Sequence, residues 1–345
     1  MKNKEKWNPG RDRLYFIAEA GVNHNGSLEL AKSLIEVAKQ ANADAIKFQT
    51  FSAERLVTKI APSAEYQKSA GEGSTQFEML KRLELSANDF QVLCDYCLEL
   101  GLEFISTPFD EESADLLDEI GVSIYKVSSG DLTNLDLLAH IAAKGKPMII
   151  STGMANMAET ERAVQTLKNA GNDQFAILHC VSNYPARPDQ ANLRAMATLG
   201  HAFKCPVGWS DHMQGNAISL AATACGAQII EKHFTMDRNM PGPDHAASLE
   251  PDELKALIKG VRDVEAAMGT GVKWPTEPEA EIALVARRSI TADCDIKKGT
   301  VLTRSMLSMR RPGDGIEPYL TPMVVGRVAR ADISAGQTIK LDHLC

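Results

Sequence analysis

Short hydrophobic runs recur along this chain, each closing on polar residues and each followed by apolar positions at helical spacing. Runs over 14–18, 45–50, 103–107, 124–127, 148–151, 175–180, 206–209 and 229–233 predict eight strands. Between them, helical spacing predicts helices over 28–42, 88–100, 112–120, 135–144 and 157–170. Eight strands alternating with helices across about 250 residues is the arithmetic of a (β/α)8 barrel, an α/β architecture. An open doubly wound sheet is the alternative, but no strand is followed by GxGxxG or by a GxxxxGK phosphate loop.

After the eighth strand the pattern changes. A helix over 251–268 opens on PDEL and closes at Gly269. The stretch GTGVKWPTEPEAE then reads as a linker, and from residue 286 short β-like runs and turns take over. The expected organisation is a barrel over 1–270, a linker over 271–285 and a small β-rich domain over 286–345. That tail repeats itself: DIKKG at 295–299 precedes Leu302 and Leu307, and DISAG at 332–336 precedes Ile339 and Leu344, all offset by 37 positions. Two such units are too few for a solenoid and predict a small pseudo-symmetric β domain.

At 345 residues the chain can bury a large core, and 24% charged residues is an ordinary globular value. No apolar run approaches the ~20 residues of a membrane span, and the leader MKNKEKWNPGRDR lacks the apolar centre of a signal peptide. A net charge of −8 with no Lys/Arg block argues against nucleic acid or an anionic membrane as partner. Any anionic ligand must be held by local cations. Seven scattered cysteines fit free thiols in a reducing cytoplasm; Cys94 and Cys97 have redox spacing but fall mid-helix, where packing explains them.

In such a barrel, chemistry gathers at the C-terminal ends of the strands. Those ends supply Glu19; Lys47 and Gln49; Thr107; Lys126, Ser128 and Ser129; Ser151 and Thr152; His179; Ser210, Asp211 and His212; and Glu231 with His233. The stretch AEAGVNHNG, 18–26, sets Glu19 before a turn: it either caps the turn's amides or faces a cleft, since a carboxylate is costly to bury alone. Two lysines, hydroxyls and the glycines Gly130 and Gly153 on one face suit a phosphorylated substrate. His212 and His233, on neighbouring strands, either hold a divalent metal or serve as hydrogen-bonded structural residues; ligand softness does not choose among Mn, Zn, Co and Fe. His24 and His179 read as structural.

The blocks AEAGVNHNG (18–26), KFQTF (47–51), FISTPFD (104–110), YKVSSGD (125–131), ISTGM (150–154), GWSDH (208–212), EKHFT (231–235), PGPDHAASLEP (241–251) and RRPGDGI (310–316) run in order along the chain. Together they resemble the sialic acid synthases, the bacterial N-acetylneuraminate synthases most of all. The tail resembles that family's antifreeze-like (SAF) domain. The resemblance implies condensation of phosphoenolpyruvate with an N-acyl-mannosamine-type sugar and water, with C–O cleavage releasing phosphate. N-acetylmannosamine is the first choice of acceptor; a 2,4-diacetamido-2,4,6-trideoxymannose, leading to legionaminic acid, is the alternative.

Position by position, the resemblance implies that His212 and His233 bind a divalent metal, Mn2+ first. It puts Lys47, Thr107, Lys126, Ser129, Ser151 and Ser210 on phosphoenolpyruvate, with Lys47 and Lys126 also catalytic. Gln49, Tyr184, Asp244 and Arg311 fall near the amino sugar. Where some members carry Asn two positions before the Tyr, this chain has Ser182, with Asn183 beside it. From the loop 51–76 no contact is carried over. Glu19 becomes the acid/base that handles the proton of the attacking water, and the expected assembly is a homodimer whose tails cover the partner's sites. A Schiff-base aldolase using Lys47 or Lys126 is the rival enzyme class. A sugar- or ice-binding protein would need none of this constellation. A 6-phosphorylated acceptor would need a further basic cluster.

Overall fold

The computed structural model describes residues 7, 9–10, 13–61 and 75–345. Most of the polar leader and residues 62–74 of the 51–76 loop lie outside the described residues. The chain divides into two compact units, Met1–Gly269 and Thr270–Cys345.

The first unit carries eight parallel strands: β1 Tyr15–Gly21, β2 Ala45–Thr50, β3 Glu103–Pro108, β4 Tyr125–Val127, β5 Met148–Ser151, β6 Phe175–Cys180, β7 Val207–Asp211 and β8 Ile229–His233. They pair in the order β3-β2-β1-β8-β7-β6-β5-β4, and β4 packs beside β3 to complete the ring. The expected barrel is therefore observed. Helices follow the strands, as at Leu28–Gln40, Ala87–Leu100 and Met157–Asn169. Their starts are fixed by capping side chains: Ser86 with Asp89, and Asn156 with Glu159, form reciprocal capping boxes.

Alternation along the strands decides what the barrel does. Outward positions such as Phe16, Phe48, Tyr125, Ile150, Ile177, Trp209 and Ile230 pack under the helices in one large apolar core. A separate buried cluster of Ile17, Ala45, Ile105, Ile124, Ile149 and Ile229 forms an apolar plug from the opposite faces of the same strands. Because side chains repeat every second residue, the next positions on that face are Glu19, Lys47, Thr107, Lys126, Ser151 and Glu231. All six are buried, so a polar floor sits directly on the apolar plug.

Three local differences from the sequence reading stand out. β1 runs on to Gly21 rather than stopping at residue 18. Its register with β2 passes from Glu19↔Lys47 to Gly21↔Phe48, so Ala20 is an extra residue, a bulge at the barrel rim. Helices Arg194–Phe203 and Ala217–Ala224 fill intervals that the strand–helix alternation implies without bounds, whereas Gln76–Leu83 is an additional helix ahead of Ala87–Leu100. Glu277–Ala286 is a helix within the stretch read as linker: Thr276 and Glu279 form a capping box with proline in the first turn, so residues suggestive of a linker instead start a helix.

In the second unit, β9 Ser289–Ala292 pairs antiparallel with β10 Leu307–Arg310. The 37-residue repeat has a structural meaning. Ile296 and Ile333, equivalent positions, exchange both backbone hydrogen bonds at 2.8 Å. The amide of Lys298 donates to Asp332 Oδ1 and that of Ala335 to Asp295 Oδ1, both at 2.8 Å. These are the same contact seen from each half. The unit has its own core, including Ile290, Leu302, Ile316 and Ile339.

Candidate active site

The polar floor opens into a cavity of about 580 Å³ at the C-terminal mouth of the barrel. The first-unit residues to which the resemblance gives roles all line it: Glu19, Lys47, Gln49, Thr107, Lys126, Ser129, Ser151, Tyr184, Ser210, His212, His233 and Asp244, whereas the strand-end residues Thr152, His179 and Asp211 do not. Arg311 lies in the second unit, exposed, just after β10.

Glu19 Oε2 lies 2.7 Å from Lys47 Nζ, and the Gln49 amide donates to Glu19 Oε1 at 3.3 Å. Lys47 also donates to Thr107 Oγ1 at 3.2 Å. Across the floor, Lys126 donates to Ser151 Oγ at 2.7 Å and to the Val127 carbonyl at 3.1 Å. Glu231 stands between the two lysines, with Oε2 3.8 Å from each ammonium and Oε1 accepting from Ser210 at 2.8 Å. Beyond Lys126, Ser129 Oγ accepts from the Gly153 amide at 2.9 Å. A Cβ on Gly153 would stand 2.1 Å from Ser182 Oγ and 2.8 Å from Ser129 Oγ, so only glycine lets this backbone approach the wall.

These contacts shape the charge states. Burial pushes the Glu19 carboxyl up, against the pull of Lys47 and with help from Glu231, to about 7. Glu231 suffers the same desolvation, but Lys126 and Lys47 pull it down to about 2, so it is the fixed anion of the pair. Burial depresses the Lys47 ammonium, yet Glu19 and Glu231 more than offset it and hold it above its ordinary value. Lys126 comes out below its ordinary value, burial outweighing Glu231. Burial also raises Asp244, to about 6.

His212 and His233 stand with ring centroids 5.6 Å apart, and Tyr184 stacks on His212 at 4.1 Å. Burial pushes His212 down to about 4 and His233 well down too, so both imidazoles are neutral and carry lone pairs. His212 Nδ1 lies 2.8 Å from the Val181 carbonyl, which fixes Nδ1 as the donor and leaves Nε2, 3.0 Å from the Tyr184 hydroxyl, as the lone-pair atom. His233 Nδ1 is buried without a partner. Two neutral imidazoles, one oriented by the Val181 carbonyl and one with an unanswered nitrogen, fit a divalent cation. Among the described residues no group of three His, Cys, Asp or Glu side chains gathers around a common centre, so the protein's own share would be these two.

The cavity thus gathers two lysines, three carboxyl groups, several hydroxyls and two neutral imidazoles at one barrel mouth. The model of the NeuB family matches residues 34–273. This chain belongs to the NeuB family. The SAF domain model matches residues 287–344 of this NeuB-family chain. The N,N'-diacetyllegionaminic acid synthase of Legionella pneumophila is 48% identical over 96% of this chain and 94% of its own. That of Campylobacter jejuni is 45% identical over 94% and 98%. Among solved structures, the N-acetylneuraminic acid synthetase of Leptospira borgpetersenii, crystallised with citrate, is similar with a TM-score of 0.70 at 38% identity, over 78% of this chain and 90% of that one. The resemblance to sialic acid synthases read from the motifs therefore holds, and the chain is an enzyme of that family.

The sequence reading had placed Glu231 at a strand end without giving it a role. Its position two residues before His233 on one strand is the signal that it shares the cavity face. Ser182 lines the cavity and Asn183 does not. His179 is structural as read, its Nε2 2.9 Å from the Ala191 carbonyl. Cys94 and Cys97 both lie within the helix Ala87–Leu100, and Cys97 is buried with its thiol pushed up by desolvation. An apolar wall was also unforeseen: Val22, Phe51, Met79 and Leu83 are buried together with Leu56, Leu80 and Phe109 against them, and most of these line the mouth.

Proposed function

We propose that this enzyme condenses phosphoenolpyruvate with 2,4-diacetamido-2,4,6-trideoxymannose and water, giving N,N'-diacetyllegionaminic acid and phosphate. The observation that carries the reading is the cavity's division into a cationic, hydroxyl-rich floor and an apolar mouth. Lys126, Ser151, Ser129 and Ser210, with Lys47 and Thr107, would take the phosphate and carboxylate of phosphoenolpyruvate. That leaves the acceptor's aldehyde beside Glu19 and the histidines, and its far end at the wall of Leu56, Met79, Leu80 and Leu83. A deoxy, N-acylated end suits apolar carbon better than a hydroxyl or a phosphate does. Near that wall Lys81 is paired with Glu54 and Glu84, and Arg55 with Asp110 and Glu112. The names of the two legionaminic acid relatives support this acceptor over N-acetylmannosamine, the sequence's first choice.

The bond changes assign roles. C3 of phosphoenolpyruvate forms the new C–C bond to the aldehyde carbon, whose oxygen takes up a proton. Water adds at C2, and the C2–O bond to phosphate breaks. Lys47 and Lys126 orient the two substrates, which replaces a bimolecular encounter. Glu19, ionised, accepts the water's proton, with Gln49 and Lys47 aiming its carboxylate. Tyr184 and Asp244 hold acceptor hydroxyl or amide groups. His212 and His233 would hold a divalent cation, Mn2+ first, whose Lewis acidity would polarise the aldehyde oxygen. We place the enzyme in the cytoplasm as a homodimer, with Arg311 of the partner subunit reaching the N-acyl group of the acceptor. No helix of the described residues is long and apolar enough to cross a membrane.

The burial-depressed Lys126 favours a second reading, the Schiff-base aldolase, in which its amine attacks a keto acid. Phosphate release from phosphoenolpyruvate against a panel of acceptors separates the two. The synthase releases one phosphate per acceptor consumed and prefers the diacetamido sugar. An aldolase releases none.

A further inference from the structure

The turn Asn23-His24-Asn25 and the loop that carries Asp244 come from opposite ends of the first unit's sequence, yet a set of hydrogen-bond contacts ties them together, with Asn23 Oδ1 left buried and unpartnered. Asn23 Nδ2 donates to the Phe234 carbonyl at 2.8 Å and to Ser248 Oγ at 2.9 Å. Ser248 Oγ in turn donates to the Asp244 carbonyl at 2.7 Å. One residue on, the two ring nitrogens of His245 lie 2.6 Å from Thr235 Oγ1 and 3.2 Å from Asn25 Oδ1. Gly242 closes over this ring with φ 153°; a Cβ there would stand 2.6 Å from His245 Cδ2 and 2.9 Å from Asn25 Oδ1. Asn23, His245 and Ser248 are each at most 1% exposed, and none of them lines the cavity.

Asp244 is the residue these contacts surround. It lines the cavity, and its carboxylate has no side-chain hydrogen bond among the described residues. Its place is therefore set by its backbone. That backbone is held on one side by Ser248 on its own carbonyl and on the other by the anchored ring of its neighbour His245. Burying polar side chains is costly unless they are hydrogen-bonded, and here the bonds that offset the cost also fix the turn and the loop in one arrangement.

We propose that Asn23, Asn25, His245 and Ser248 form a positioning clip that aims the Asp244 carboxylate at the acceptor sugar and so sets acceptor affinity without touching either substrate. The proposal rests on the reading of the cavity as a two-substrate condensing site with Asp244 at its acceptor end. The two asparagines of the β1 turn thereby gain a role: one strand end supplies Glu19 to the floor and, four residues on, Asn23 as an anchor for the acceptor loop.

The test uses Ser248→Ala, which removes one hydroxyl and leaves the packing, alongside Asn23→Ala in the full-length enzyme. Each variant should raise the acceptor KM about tenfold, the scale of one lost buried hydrogen bond, and leave the phosphoenolpyruvate KM within about twofold. In an Asp244→Asn background neither should raise it further, since the group being aimed is already changed. Equal shifts in both KM values, or full additivity with Asp244→Asn, would overturn the clip. Hydrogen exchange is read in parallel on the amides of 242–248. Faster exchange there in Ser248→Ala supports the clip, and unchanged exchange overturns it, with or without turnover. A wild-type enzyme that releases no phosphate with any acceptor would instead defeat the functional reading, leaving the exchange measurement to judge the clip.

Discussion

Glu19 and Lys47 sit side by side on β1 and β2 with 2.7 Å between carboxylate and ammonium, yet the carboxyl titrates near 7 rather than below its ordinary range. Desolvation on the barrel floor, joined by the fixed negative charge of Glu231, outweighs the attraction of the lysine. A carboxyl poised near neutrality is what a general base needs. If ionised Glu19 takes the proton of the attacking water, kcat falls about tenfold per pH unit below 7. Glu19→Gln should lower kcat by orders of magnitude with little change in either KM, and its residual rate should be flat across that limb.

The same shift makes a stability prediction of opposite sense. A carboxyl whose folded value lies above its unfolded one near 4.5 binds its proton more tightly when folded, so its stabilising effect is lost as pH rises toward 7. Glu19→Gln, permanently neutral, should therefore raise Tm relative to wild type, and by more at pH 8 than at pH 5. Differential scanning calorimetry at the two pH values decides this.

Glu231 predicts how the lysines fail. Lys126→Ala leaves Glu231 with one cation fewer in a buried site, which costs up to about 3–5 kcal/mol of stability. Lys126→Met combined with Glu231→Gln should recover most of that stability. It should not recover phosphoenolpyruvate binding, whose KM rises about a hundredfold in both variants because the cation itself is gone. Recovery of substrate binding by the double variant would remove Lys126 from the anion site.

For the histidines the readout is metal content as well as rate. Purified enzyme should bind about one Mn2+ per chain, a site of two imidazoles being weak enough for EDTA to empty. His212→Ala and His233→Ala should each lose bound metal and turnover while keeping the wild-type far-UV circular dichroism. Full activity in metal-free His212→Ala would end the assignment.

Much of this was legible because the barrel imposes period two on its strands. Once β2, β3, β4 and β5 were placed, Lys47, Thr107, Lys126 and Ser151 had to share a face, and the structure puts them on one floor. What escaped depended on distance along the chain. Nothing local marks Glu231 as the partner of lysines on β2 and β4. The helix Gln76–Leu83 is short and amphipathic, and it gains its role as cavity wall only by packing on Val22 and Phe51. Asn23 looked like turn chemistry, and only the fold brings Ser248 to it. The helix at Glu277–Ala286 was hidden by proline and glutamate, which serve linkers and helix starts equally well.

The proposed dimer gives a complementation test. Glu19→Ala and Arg311→Ala homodimers should both be nearly inactive. Unfolded together and refolded, random pairing yields half mixed dimers with one intact site of two, so about a quarter of wild-type activity should return. Mixed dimers shown to be present without recovered activity would mean that each tail serves its own barrel.

The most direct test of the central claim follows the bridging oxygen. Phosphoenolpyruvate labelled with oxygen-18 between C2 and phosphorus is incubated with the enzyme, Mn2+ and 2,4-diacetamido-2,4,6-trideoxymannose, and the products are weighed by mass spectrometry. The account predicts one phosphate per sugar consumed, carrying the label, and an unlabelled nine-carbon keto acid. A label retained in the keto acid, or a sugar consumed with no phosphate released, would contradict it.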